Sequence, residues 1–195
     1  MMRKRIGLAF VLAVVLAVPA ALAQAPEKAA EKAVPKAPDS APSPGPEHKK
    51  LGYFVGTWTG EGIMKPNPFM PAGTYTSGDE CKWFEGGFAV VCHSRGKGPM
   101  GDMKGLGIMS YSPEEKIYTY YGVDSSGMTM TTVSKGSVQG STWTFTDESL
   151  MGGKMVKSRY VITELSPASY SFKWEMLGED GTWVSVVEGK QSKAK

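Results

Sequence analysis

Tight-turn dipeptides recur about every thirteen residues from residue 86 onward. A chain interrupted that often can build little except antiparallel strands. The dipeptides are Gly86-Gly87, Gly98-Pro99, Ser112-Pro113, Ser126-Gly127, Gln139-Gly140, Gly152-Gly153, Ser166-Pro167 and Asp180-Gly181. Gly tolerates the positive φ that tight turns need, and Pro presets φ for a turn's first central residue. The segments between them are rich in Thr, Val, Ile, Tyr, Phe and Trp, which suit a pleated surface. Strands are expected near 54–64, 73–84, 88–96, 104–111, 116–123, 128–135, 140–147, 154–164, 168–177 and 182–190.

Side-chain alternation assigns the faces. Tyr170, Phe172, Trp174 and Met176 share one face, opposite Ser171, Lys173 and Glu175. Trp143 and Phe145 alternate with Thr142, Thr144 and Thr146, and Tyr160 and Ile162 alternate with Arg159, Val161 and Thr163. One apolar face per strand, repeated about ten times, curls a sheet around one interior, and closure removes the exposed edges of an open sheet. The expected class is all-β, an antiparallel meander closed into a barrel of about ten strands. A two-sheet sandwich satisfies the same periodicity. Glu47 to Val55 is the one helix candidate, ended by Gly56 and placed to plug one end of the barrel.

The N-terminus has the layout of a secretory signal. Arg3-Lys4-Arg5 precedes an apolar run from Ile6 to Val18, and Ala21-Leu22-Ala23 supplies small residues for cleavage before Gln24. Thirteen apolar residues fall short of the roughly 20 that span a bilayer. Residues 1–23 are thus expected to be a signal peptide and the protein periplasmic or secreted, with no membrane association after cleavage. Losing three basic residues takes Lys+Arg from 22 to 19, against 19 Asp+Glu. A neutral mature chain has no electrostatic attraction for nucleic acid. Residues 24–46 carry six prolines and no aromatic residue, the composition of an extended, unpacked linker. The folded domain is then expected over 47–193.

Cys81 and Cys92 straddle the Gly86-Gly87 turn, and pairing about that turn sets them directly opposite each other. A four-residue loop from Glu85 to Phe88 makes them a non-hydrogen-bonded pair, the closer of the two antiparallel registers. An exported protein oxidises such a pair to a disulfide. A redox or metal-binding thiol pair is the alternative, but the Cys-x-x-Cys spacing is missing.

The opening Gly56-Thr57-Trp58-Thr59-Gly60-Glu61-Gly62 resembles the first strand of nitrobindin-like barrels, within the calycin or lipocalin-like group. The whole unit is similar to the bacterial family known as domain of unknown function 1579. The resemblance rests on His48-x-x-Leu51, Gly56-Thr57-Trp58, Trp83-x-x-Gly86-Gly87, Gly105-x-Gly107-x-x-x-Tyr111-Ser112-Pro113, Tyr118 leading to Asp124-Ser125, Gly136, and Asp180-Gly181-x-Trp183. It implies a calycin-like barrel. Nitrobindin-like barrels hold haem through a His on a late strand, whereas this chain has only His48 and His93, so no cofactor is expected. Lipocalins stack a late Arg on the opening Trp. No Arg follows Arg159 here, which leaves Lys190 for that part.

Trp58, Trp83, Trp143, Trp174 and Trp183, with Tyr120 among the tyrosines, are the candidates to line a cavity for a small apolar molecule, which ligand pockets favour; simple core filling is the alternative. Glu61, Asp124 and Arg159 are the candidate polar contacts. An inward Glu61 would need a partner, with Arg159 the best available. Met100-x-x-Met103, Met128-x-Met130 and Met151-x-x-x-Met155 offer soft thioethers of the kind that bind Cu(I), or flexible apolar filler. No Gly-x-Ser-x-Gly, His-Glu-x-x-His or phosphate-cradling loop occurs, so no enzymatic residue is assigned. The leading expectation is a ligand-binding barrel. The alternatives are a protein-interaction module, acting through a barrel edge or the Met-rich loops, and Cu(I) binding.

Overall fold

The structure, a computed structural model, describes residues 41–126 and 133–194. The expected signal peptide, most of the expected linker, and Met128 with Met130 lie outside the described residues. Ten strands follow one another: β1 (Gly56–Met64), β2 (Gly73–Trp83), β3 (Ala89–Gly98), β4 (Gly101–Ser112), β5 (Ile117–Asp124), β6 (Ser134–Gln139), β7 (Thr142–Met151), β8 (Lys154–Ser166), β9 (Ser169–Leu177) and β10 (Trp183–Lys193). Each is antiparallel to its neighbours in sequence, and β10 closes onto β1 from Trp58↔Lys193 to Met64↔Val187. The result is an up-and-down barrel, not a sandwich.

Among the described residues, the turn dipeptides fall in the connections between strands or at strand ends. At the β2–β3 turn Gly86 and Gly87 take φ of 84° and 75°, values that side chains other than Gly resist. β6 differs from expectation. It runs from Ser134 to Gln139, right up to the tight turn at Gln139-Gly140, because Gly136 and Val138 pair with Phe145 and Trp143 of β7. The earlier start expected near 128 lies outside the described residues.

Cys81 and Cys92 are direct cross-strand partners, with Cα atoms 4.0 Å apart and the sulfurs bonded. The Phe84 amide donates to the Ala89 carbonyl (2.9 Å), closing the four-residue loop Glu85 to Phe88. Cys81 is buried and joins the core, so the bond lies inside the barrel.

The two ends are filled differently. A short helix, α1 (Pro46–Lys50), runs into a 3-10 turn over Leu51–Phe54. It drops Leu51 and Phe54 into one end, against Trp58, Val90, Tyr118, Trp143 and Tyr170. The Tyr118 hydroxyl donates to the Glu47 carboxylate (2.6 Å), and the Trp58 indole N–H donates to the Phe54 carbonyl (2.7 Å). His48 is buried edge-on between Phe88 and Tyr111. At the other end Met64, Met70, Met176 and Val186 form a separate cluster with Phe69, Met100, Met151 and Trp174 against it.

The disulfide joins two strands already paired, so its effect is chiefly on the unfolded chain. Closing a loop of this length restricts that ensemble by roughly 2–3 kcal/mol. Reduction, or the Cys81→Ala/Cys92→Ala pair, is expected to lower the melting temperature by about 5–10 °C. An unchanged scanning-calorimetry trace after verified reduction would contradict this.

Candidate functional site

Between the plug and the methionine cluster, the inner wall is built from glycines and aromatic rings in contact. Gly62 faces Tyr75, Gly136 faces Phe145, and Gly189 faces Phe172 as direct cross-strand partners. A Cβ on these glycines would lie 2.8, 2.5 and 2.7 Å from the respective rings, closer than real Cβ atoms approach. Tyr120 lies over Gly107 and Gly122, where an added Cβ would come within 3.0 Å of the ring and 2.9 Å of its hydroxyl. Each ring therefore lies along the wall and does not cross the middle.

Surface exposure follows from this arrangement. The plug-end residues Trp58 and Trp143 are 1% exposed. In the middle belt the inward-phase Tyr75, Ser77, Asp79, Ser94, Tyr120, Tyr160 and Trp174 are only half-buried. Side chains turned inward that keep accessible surface line an unfilled lumen.

That lumen is polar and acidic on one side. Asp79 of β2 accepts from the Gln191 amide (2.8 Å), which also donates to Ser77 (3.0 Å). Burial holds the Asp79 carboxyl above the usual carboxylate range, with hydrogen bonding from Ser94 and Gln191 opposing it. Its charge acts on Tyr75, Tyr120, Tyr160 and Tyr170. Burial pushes the Tyr120 phenol up to about 12, with Asp79 and Asp124 adding to the effect, and raises Tyr160 well above its ordinary value. All four phenols are neutral donors at physiological pH. Across the lumen Asp147 is satisfied by Ser134 (2.6 Å) and Ser158 (2.7 Å).

The residues singled out in the sequence divide between inside and outside. Tyr120 and Trp174 face the lumen, Trp58 and Trp143 form its floor, and Trp143 donates to Glu164 (2.7 Å). Asp124 lies at the end of β5, half-buried, accepting from the Ser126 amide (2.7 Å) and its hydroxyl. Glu61 is exposed on the outer wall, because Trp58, Gly60 and Gly62 take the inward phase of β1. Arg159 is outside too, paired with Glu175 (2.5 Å) and stacked on Trp183 at 4.4 Å, so no Glu61–Arg159 pair forms. Trp83 is 39% exposed at the plug-end rim. The cation over the opening Trp is Lys193, 5.0 Å from the Trp58 ring, and not Lys190, which faces outward opposite Glu61. Among the described methionines, Met100 and Met151 pack at the mouth and Met155 is 65% exposed. His93 is exposed on the outer face.

Asp79, Gln191 and Tyr75 were not among the sequence candidates. The signal for Asp79 was present, since it lies two residues from Cys81 and shares its face. Two further clefts lie on the outside. One of about 330 Å³ runs along Thr144, Arg159, Thr163, Lys173 and Glu175, and one of about 500 Å³ sits between Pro44, Lys49 and Trp83.

Ten up-and-down strands closed first to last, with a helical plug under a hollow belt, define a calycin-like barrel. The sequence matches a known family over residues 43–193, and the chain belongs to it: protein of unknown function, DUF1579. No curated protein matches it in sequence. Among solved structures it is similar to Rv2717c from M. tuberculosis, at 14% identity and TM-score 0.54, covering 77% of this chain and 99% of that one. It is also similar to the S-type phycobiliprotein lyase CPES from Guillardia theta, at 12% identity and TM-score 0.52, covering 76% and 93%. At these identities the likeness shows the fold alone.

A carboxyl held above its usual range binds its proton more tightly folded than unfolded. Its ionisation therefore costs stability at neutral pH, and the cost is relieved as pH falls through the raised value. Asp79→Asn is expected to stabilise the empty barrel at pH 7 by about 1 kcal/mol, or roughly 2–4 °C. The advantage should shrink in acid. A lower melting temperature at pH 7 would refute the assignment.

Proposed function

We propose that this protein is an exported binding barrel that takes a small, largely apolar molecule into its lumen. The observation that carries the reading is the belt of inward rings lying flat on glycines, which leaves accessible aromatic surface beside a few polar groups. Lumens of this make-up suit ligands with an apolar body and one or two polar handles. Tyr75, Tyr120, Tyr160 and Trp174 supply the walls, Trp58 and Trp143 the floor, and Asp79 with Gln191 the polar contact. Asp124 stands nearer the mouth. Export is supported by the N-terminal pattern of a basic start, short apolar run and small-residue cleavage site, and by a disulfide in the core. Among the described residues no helix is long and apolar enough to cross a membrane. The alternative of partner binding through a barrel edge loses its basis, because β1 and β10 pair.

A ring moved off the wall fills the lumen. Gly122→Ala is expected to push Tyr120 inward and weaken binding of an apolar fluorescent dye by about tenfold, near 1.4 kcal/mol, while the far-UV spectrum and disulfide stay as in the parent. Saturable one-to-one dye binding by the parent supports the reading; no binding, or equal binding by Gly122→Ala, counts against it. Mass spectrometry of protein recovered from the periplasm or medium should give an N-terminus at Gln24; an intact Met1 there would overturn the cleavage site, and recovery from the cytoplasm alone would overturn the export reading.

A further inference from the structure

The belt is short of positive charge. On the inward phase of the described strands lie Asp79, Asp124, Asp147 and Glu164. The basic residues on that phase are Lys193, held over Trp58 at the plug, and Lys154, exposed at the opposite rim. Neither neutralises Asp79, whose hydrogen bonds come from neutral groups. Asp147 has two serine hydroxyls and Glu164 has an indole N–H, and Asp124 is served by Ser126. Asp79 is thus the inward carboxylate that burial penalises most clearly.

A second observation points the same way. Gln191 is 5% exposed, and its Oε1 has no hydrogen-bond donor among the described residues. Its amide cannot turn over to find one, because that would set Oε1 against the Asp79 carboxylate that its Nε2 now serves. Oε1 instead lies over Gly60 on the inner wall, where a Cβ would come within 2.7 Å of it. The site thus holds one buried carboxylate and one unserved carbonyl oxygen, near enough to Tyr75, Tyr120 and Tyr160 for the Asp79 charge to act on their phenols. What it lacks is a cation with N–H donors. A metal ion fits poorly, since no group of three His, Cys, Asp or Glu side chains among the described residues converges on a point.

We propose that the lumen selects a protonated amine on an aromatic or alkyl body, its ammonium placed between Asp79, Gln191 and the rings of Tyr120 and Tyr160. This deepens the lumen-binding reading and rests on it. The ammonium compensates the buried carboxylate, donates to the amide oxygen, and meets the negative faces of the rings. The apolar body lies against Tyr75 and Trp174.

The test uses three probes that share a ring and differ in charge: 1-naphthylmethylamine, 1-naphthylmethanol and 1-naphthoate, titrated calorimetrically at pH 7 in physiological salt. The amine is expected to bind at least about tenfold more tightly than the alcohol, and the carboxylate most weakly. Asp79→Asn should abolish the preference while the alcohol's affinity changes less than about twofold, and Gly122→Ala should weaken all three. Equal binding of amine and alcohol, unaltered by Asp79→Asn, overturns the cation inference and leaves lumen binding standing. An amine preference that survives Asp79→Asn but disappears in Glu175→Gln places the cation on the outer wall and also overturns it. Failure of all three probes to bind removes both readings.

Discussion

The contact between an inward glycine and the ring across from it is the constraint on which this barrel depends. Ten strands enclose an interior wider than one layer of side chains can fill. The chain fills the ends with a helical plug and a methionine cluster, and leaves the belt to rings that lie along the wall. Phe145 on Gly136 and Phe172 on Gly189 are buried against the wall, while Tyr75 on Gly62 and Tyr120 on Gly107 and Gly122 keep accessible surface. Glycine weakens a strand when nothing packs on it. Here a ring covers the backbone that the missing side chain exposes, so apolar area is buried and the lumen stays open.

The same wall decides the electrostatics. A half-filled interior with phenols and few cations is a poor solvent for a carboxylate, yet Asp79 sits in it with only neutral donors. Asp147 shows what a purely structural solution looks like, with a serine on each neighbouring strand bonded to its carboxylate. Both aspartates meet two neutral donors, but the amide that serves Asp79 leaves its own Oε1 without one, whereas Asp147 is met by two serine hydroxyls. Sites whose polar groups are incompletely satisfied in the empty protein are where ligand contacts repay a stability cost.

Much of the architecture was legible because it is local. The turn dipeptides carry their own backbone requirements, and alternation within β7, β8 and β9 assigned their faces. The disulfide followed from the hairpin register. The site was less legible, for reasons that differ residue by residue. Glu61 was weighed as a possible inward acid, although Trp58 on the same strand already fixes odd positions of β1 outward. Asp79 shares a face with Cys81, but an acidic residue beside Glu80 carries no local mark of an inward position. The glycine–ring contacts were hidden because they depend on which residues of different strands stand opposite. Lys193 displaces Lys190 over Trp58 for the same reason: the β1–β10 register sets Lys193 opposite Trp58, and Lys190, one residue out of the inward phase, falls opposite Glu61.

The ends of the barrel are held by different chemistry, and this bears on how a lumen so enclosed can be reached. The plug is fixed by directional bonds: Tyr118 to Glu47, Trp58 to Phe54, and Tyr53 to the carbonyls of Ser166 and Ser169. Moving it would strand several polar groups at once, each at a cost of roughly 1–3 kcal/mol. At the other end the β1–β2 connection folds on itself through Asn67, whose side-chain oxygen accepts from the amides of Phe69 and Met70. It meets the far wall through apolar contact, with Phe69 against the Gly152 turn and Met70 among Met64, Met176 and Val186. Thioether and ring contacts re-form in many arrangements without leaving a polar group unpaired. Apart from Lys65 at its root, whose amide donates to the Val186 carbonyl and whose ammonium pairs with Glu188, this element carries its own hydrogen bonds and meets its neighbours through such contacts, so it moves at lower cost than the plug and makes the methionine end the physically cheaper way in.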